Sequence, residues 1–246
     1  MAPNNALSPA QLARLTEFDT PTVCNVIELF DVRPFNTGYL DHRIQCRFPE
    51  LKPMIGYAST ATFGADAPLA SGTVYKLMGR QIESFARLPG PPIMVIQDLD
   101  DPSVAATFGE IMCSTYQAFG AVGLITSGAG RDLDQVQAIG FPVFTGGTIC
   151  SHGYCHIKQL DVPVRAGGLT IEPGTLLHGD RNGVTTIPDE IALEVADACA
   201  EFVSAENVVL EYLRQGSPTL AGHANAAAEA KELQQKLAAS VRARPR

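Results

Sequence analysis

Two short uncharged apolar runs, Ile93–Gln97 (IMVIQ) and Ala121–Thr126 (AVGLIT), most restrict how this chain can fold. Their apolar residues are continuous rather than alternating, which suits strands buried on both faces of a sheet. A further strand of small and β-branched residues spans Tyr57–Phe63, and another spans Pro142–Thr145. Helical patterns lie between them at Thr73–Ala86, Gly109–Phe119 and Leu133–Ile139. Strand and helix in alternation specify an α/β architecture.

The flanks are read from their punctuation. Ser8 caps a first helix in SPAQLARLTEF, and Asp19 or Thr20 caps a second that carries Val23, Val26, Ile27 and Phe30. Pro21 suits an early helical position, where its missing N–H has no partner to lose. Residues 31–54, with Pro34, Gly38, Pro49 and Pro53, read as a surface loop. Val162–Ile171 and Gly183–Ile187 form a second set of strands, with turns at Gly167-Gly168, Pro173-Gly174 and Gly179-Asp180. No Gly-x-Gly-x-x-Gly precedes a helix there, so these glycines mark turns rather than a phosphate loop. His178 and Arg181, flanking one turn, read as surface residues. A long helix opens at Pro188-Asp189-Glu190 and runs to about Arg214, with Gly216 as its stop. An Ala-rich helix follows over about Ala224–Val241, and its basic tail RARPR reads as frayed. Leu233 and Leu237 share a face of that helix, for the core or for a neighbouring subunit. The expected organisation is one catalytic domain over 1–216 and a helical tail over 217–246.

Composition excludes several functions. A chain of 246 residues can bury a core of its own, and 46% apolar with 18% charged residues is a globular composition. No uncharged apolar run approaches the length of a membrane-spanning helix, and MAPNNALSPA lacks the layout of a signal peptide. A cytoplasmic protein with six reduced cysteines, most of them small core residues, is expected. The net charge of −8 argues against non-specific nucleic-acid binding. An anionic substrate would need a local cationic site.

The stretch from Gly109 to Asp132 offers one: GEIMCSTYQAFGAVGLITSGAGRD. A helix starting near Gly109 presents the free amides of Ile111 and Met112, an anion-binding feature. Strand 121–126 runs antiparallel to that helix, so the turn Ser127–Gly130 and then Arg131-Asp132 arrive at the helix's N-terminal end. Arg131 can grip a carboxylate with two hydrogen bonds. Asp132 and Glu110 are hard oxygen donors suited to Mg²⁺ or Mn²⁺. Together they match a 2-oxo acid, whose carbonyl a metal polarises while a cation holds the carboxylate.

The pattern from Glu110 through Gly120 and Gly123 to Arg131-Asp132 resembles the family of 4-hydroxy-4-methyl-2-oxoglutarate aldolases, which includes the regulator of ribonuclease activity A. DTPTVCNVIELF, FPVFTGG and VPVRAGGLTIEPGTLLHGDRNGVTTIP resemble the family's N-terminal helix, a middle strand and turn, and its closing segment, over about residues 8–215. The resemblance implies a three-layer β/β/α, swivelling-domain-like fold with N- and C-terminal helices, as a homotrimer or hexamer. It implies a class II aldolase or oxo-acid lyase that releases pyruvate from 4-hydroxy-4-methyl-2-oxoglutarate or oxaloacetate through an enolate. Arg131 would hold substrate, Asp132 the metal, Glu110 the metal through water, and the Ile111 and Met112 amides the carboxylate. The alternative is a non-catalytic regulator that binds an RNA-processing enzyme. Two positions depart from the family: Ser127 and Gln135 stand where acids are usual. Asn25 stands where Asp is frequent, and reads as an exposed amide.

Cys150, His152, Cys155 and His156 fall within CSHGYCH. Structural zinc sites draw ligand pairs from separated segments, so this reads as a loop rather than a zinc site. His152 or His156 can still reach the cleft from it as a substrate contact or proton donor.

Overall fold

The computed structural model describes residues 6–68 and 74–244, the side chains of 74–76 excepted. Helix α1 (Pro9–Leu15) starts in a capping box between Ser8 and Gln11. Helix α2 (Thr20–Phe30) is capped by Asp19, which accepts from the Thr22 amide at 2.8 Å. Both caps satisfy amides that lack intrahelical partners.

The segment expected as a surface loop over 31–54 is largely structured instead. It contains the edge strand β1 (Gln45–Cys46) and buries Leu40, Ile44 and Phe48. Its backbone is paired where it turns inward: the Leu40 amide donates to Val184 and that of Arg47 to Val143. Prolines and glycine hid this, because single apolar residues between turns carry no period.

All residues of β2 (Met54–Gly64) are buried. Helix α3 (Val74–Ser84) follows; Thr73, its expected first residue, lies outside the described residues. Next come β3 (Pro92–Asp98), β4 (Ala106–Phe108), α4 (Glu110–Ala118), β5 (Gly123–Gly130), α5 (Leu133–Ala138) and β6 (Val143–Thr148). Then follow β7 (His156–Leu160), the hairpin β8 (Val164–Ala166) and β9 (Leu169–Ile171), and the hairpin β10 (Leu176–Asp180) and β11 (Gly183–Ile187). Helices α6 (Ala192–Arg214) and α7 (Leu220–Ala243) complete the order.

The large sheet runs β1-β6-β5-β3-β2-β10-β11, with β4 beside the end of β5 and β7 beside the end of β2. Its centre, β6-β5-β3-β2, is parallel. Alternate residues separate the two faces: Met94 and Ile96 pack towards α3, α4 and α5, while Ile93 and Val95 pack towards the β8–β9 hairpin. A second helical cluster, α1, α2, α6 and α7, covers Ile55, Tyr57, Leu176 and Ile187. Small sheet, large sheet and helices are thus stacked as β/β/α. No described helix is long and apolar enough to cross a membrane.

Four local expectations are corrected. Ser127–Gly130 is not a turn but the end of β5, paired with both β4 and β6. Glycines read as turn formers are there because a side chain has no room: a Cβ on Gly130 would run into the Phe108 ring. Gly179 and Asp180 belong to β10, and the turn is Arg181-Asn182. The basic tail is anchored as far as Arg244: Arg242 Nε donates to the Leu29 carbonyl at 2.7 Å, and Arg244 pairs with Glu194 at 2.9 Å. On α7, Leu237 is buried against the chain's own core, whereas Leu233 stays 39% exposed.

The fourth correction is His178, which is fully buried rather than on the surface. Nε2 lies 3.0 Å from the Leu15 carbonyl and Nδ1 lies 3.0 Å from the Thr20 hydroxyl. A carbonyl only accepts, so Nε2 carries the proton and Nδ1 accepts from Thr20. The Thr20 amide in turn donates to Asp180 at 3.1 Å. This network ties the start of α2 to the sheet. Of the six cysteines, all free, Cys113 and Cys199 are buried, Cys24, Cys46 and Cys155 half-buried, and Cys150 exposed.

Burial holds the His178 imidazole below its ordinary value. The unfolded chain therefore binds this proton more readily, and stability falls as pH drops below about 6.5. Chemical denaturation between pH 7.5 and 5 should show this loss. His178→Asn should be less stable at pH 7.5 and should flatten the pH dependence; an unchanged slope would remove His178 as its source.

Candidate functional site

The site forms where β4 ends, α4 begins and β5 hands over to α5. The Arg131 amide donates to the Phe108 carbonyl at 3.1 Å, which brings the end of β5 alongside Gly109. Gly109 is the N-cap of α4, and it has no side chain for a reason of space. A Cβ there would sit 2.5 Å from Asp132 Oδ2 and 3.1 Å from Arg131 Nε. Asp132 adopts a left-handed backbone, φ 54° and ψ 39°. Among non-glycine residues Asp tolerates this conformation comparatively well. It turns the carboxylate back onto α4, where Oδ2 accepts from the Glu110 amide at 3.1 Å. Arg131 Nε stands 3.7 Å from the same oxygen.

The structure therefore brings together Arg131, Asp132 and the backbone of Glu110. The Arg131 and Asp132 side chains remain 34% and 38% exposed, open to a ligand. Ile111 and Met112 occupy the same first turn of α4, with Ile111 exposed and Met112 half-buried. The Glu110 side chain is exposed beside them. Of the first-turn amides, that of Glu110 is taken by Asp132. The positive end of α4 thus faces one fixed carboxylate and one guanidinium.

The loop after β6 is tied to this region by its backbone, the Ile149 amide donating to the Gly130 carbonyl at 3.1 Å. His152 is exposed and its Nδ1 lies 2.7 Å from the Gly153 carbonyl; His156 is buried and its Nδ1 lies 3.0 Å from that of Tyr154. In the same loop, burial pushes the Cys155 thiol up and the Arg131 guanidinium draws it back. No group of three or more His, Cys, Asp or Glu suited to a metal occurs among the described residues.

A cavity of about 790 Å³, lined by Asp98, Asp100, Ser127, Gly147 and Arg165, was not anticipated from the sequence. Asp98 Oδ1 accepts from the Asp100 amide at 3.1 Å, while Oδ2 is buried without a hydrogen bond. Burial raises this carboxyl above its ordinary value. The signal was present as QDLDDP, acids crowded directly after an apolar strand. The departure at Ser127 has a visible use: its hydroxyl accepts from the Asp98 amide at 2.9 Å. Gln135 and Asn25 are exposed.

Residues 20–186 match the RraA-like family, described as Aldolase/RraA. The chain belongs to this family. A relative from Halalkalibacterium halodurans, named "Putative 4-hydroxy-4-methyl-2-oxoglutarate aldolase", is 29% identical over 74% of this chain and 80% of its own length. Other curated relatives align over less: 22% of a Legionella pneumophila protein, DlpA, at 25% identity. Among solved structures, a Pseudomonas syringae pv. tomato protein superposes with a TM-score of 0.71 at 20% identity, over 93% of this chain and 97% of that one. Streptomyces coelicolor RraAS2, titled an unusual member of the RNase ES inhibitor RraA family, gives 0.65 at 21%, over 83% and 98%. These two likenesses establish a shared fold, the three-layer arrangement described above.

Gly109→Ala should displace the Asp132 carboxylate and so uncap α4. Loss of one such cap costs about 0.5–2 kcal/mol. Urea denaturation of Gly109→Ala, Asp132→Ala and the double variant should show that the double loses no more than the worse single. Full additivity would mean the two residues do not share this contact.

Proposed function

We propose that this RraA-like protein is a divalent-metal-dependent lyase that cleaves a 2-oxo acid, of the 4-hydroxy-4-methyl-2-oxoglutarate or oxaloacetate type, to release pyruvate. One observation carries the reading: Arg131, Asp132 and the first turn of α4 meet at Gly109, where no side chain could fit between them. The name borne by the Halalkalibacterium relative supports the reaction class. A regulator acting by surface contact has no need of that convergence, so the enzymatic reading is preferred.

The donor set suits a hydrated hard cation. Asp132 offers Oδ1 from a half-exposed carboxylate, since Oδ2 is occupied by the Glu110 amide. Glu110 adds a second, exposed carboxylate. Mg²⁺ and Mn²⁺ accept one or two protein carboxylates and keep their remaining waters, so a third protein ligand is not required. When bound, such a cation supplies Lewis-acid polarisation of the 2-oxo group. Arg131 takes the substrate carboxylate in its planar fork. The Ile111 and Met112 amides, at the positive end of α4, add to the hold on the same group. With the carboxylate fixed, the C3–C4 bond breaks, its electrons pass into the 2-oxo group, and a proton returns to C3 to give pyruvate; from oxaloacetate, C4 leaves as CO2. In the aldol substrate the C4 hydroxyl loses its proton as that carbon becomes a carbonyl. A homotrimer or hexamer belongs to the same reading: Ile111, 67% exposed at the mouth of the site, is an apolar surface for a second subunit to cover.

Pyruvate release from both substrates, followed by a coupled reductase, tests the proposal. Activity should require Mg²⁺ or Mn²⁺ and vanish in EDTA. Arg131→Ala should lower kcat/KM by about 100-fold, equivalent to about 2.7 kcal/mol of lost transition-state binding. The reading falls if neither substrate yields pyruvate, or if EDTA and Arg131→Ala are both without effect.

A further inference from the structure

A cavity of about 230 Å³, open to solvent on one side, lies between α2, the loop after it and the β10–β11 hairpin. It shares no lining residue with the Arg131–Asp132 site. Ile27, Leu40 and Val184 form apolar walls, all buried. Phe35 and Tyr39 also line it and are largely exposed, as expected for residues at its mouth. Two opposite charges face into this apolar space. Arg33 is half-buried and fixed by the β11 backbone and hydroxyls: it donates to the Thr186 carbonyl at 3.1 Å, to Thr186 Oγ1 at 2.6 Å and to Thr185 Oγ1 at 3.1 Å. Its remaining N–H groups have no carboxylate partner among the described residues. Glu28, in the last turn of α2, likewise has a carboxylate without an ion-pair partner among the described residues. The two charges feel each other but do not pair.

A rigid cation and a separate anion on the wall of one apolar cavity are complementary to a zwitterion. A ligand pocket fixes orientation by a few polar groups placed in an apolar lining. The cavity volume is about 230 Å³. That is below the roughly 300–1,000 Å³ of drug-sized pockets and near the size of a small aliphatic amino acid. We propose that this cavity is a binding site for a free α-amino acid of valine or leucine size, its carboxylate on Arg33, its ammonium on Glu28 and its side chain against Ile27, Leu40 and Val184. A site built for both charges rejects analogues lacking either one, because a half-buried charge is then left unmatched.

The half-buried Cys24 on the same wall provides a second readout. Burial pushes its thiol up, so labelling is run at alkaline pH. Calorimetry with the full chain should show binding of L-leucine or L-valine. 4-Methylpentanoate, which lacks the ammonium, and isoamylamine, which lacks the carboxylate, should bind at least ten-fold more weakly than L-leucine. Glu28→Gln should lose at least ten-fold in L-leucine affinity with an unchanged thermal midpoint. L-Leucine should slow iodoacetamide labelling of Cys24, followed by peptide mass spectrometry, and leave that of the exposed Cys150 unchanged. The proposal is overturned if neither amino acid gives heat or protects Cys24, if 4-methylpentanoate binds as well as L-leucine, or if Glu28→Gln binds L-leucine like the wild type. Pyruvate formation plays no part in these readouts, so they stand apart from the fate of the lyase reading.

Discussion

The last four residues of β5 are pressed from all sides, and the rest of the molecule is arranged around that pressure. β4 pairs on one edge and β6 on the other. A Cβ on Gly128 would lie 2.6 Å from Asp98 Oδ2, and one on Gly130 would meet the Phe108 ring. Side chains are excluded at these two glycines, so only a bare backbone can pass there. The strand emerges at Arg131-Asp132, where the Arg131 amide donates to the Phe108 carbonyl. The left-handed backbone at Asp132 and the bare Gly109 complete the approach. The precision of the candidate site is thus inherited from packing, not from the site residues themselves.

The layered core was legible because its signals are periodic. The continuous apolar runs at 93–96 and 124–125 place neighbouring residues on opposite sides of a buried sheet, as Ile93 and Met94 show. Caps at Ser8 and Asp19 were legible because capping chemistry is local. Gly128 and Gly130 were misread because glycine signals both a turn and a close approach, and only the tertiary neighbours tell which. His178 was misread for a related reason. Its partners, the Leu15 carbonyl and the Thr20 hydroxyl, lie more than a hundred positions away in sequence. The meeting of Arg131, Asp132 and the first turn of α4 followed from the antiparallel run of helix and strand. The capping of that turn by Asp132 did not, since it depends on one backbone torsion.

The charge of the chain acquires a geography. A net charge of −8 repels small anions at a distance. Cationic groups are placed where backbone or carboxylates restrain them: Arg131 beside Asp132 and Arg33 on Thr185 and Thr186. A guanidinium held in this way loses little freedom when it takes a ligand, because part of its ordering has already occurred on folding. The same logic separates these groups from Arg43, whose guanidinium is satisfied by Asp41 alone on the surface.

Helices α1 and α2, early in the sequence, share one apolar cluster with α6 and α7, late in it. The Leu29 carbonyl near the end of α2 receives its bond from Arg242. The apolar face of α2, with Val23, Val26, Ile27 and Phe30, is therefore completed by helices that lie far away in sequence, at Ala192–Arg214 and Leu220–Ala243. Contacts of such long sequence separation form late and slowly. Closure of this face by α6 and α7 is thus a non-local step of folding, set by topology rather than by local propensity.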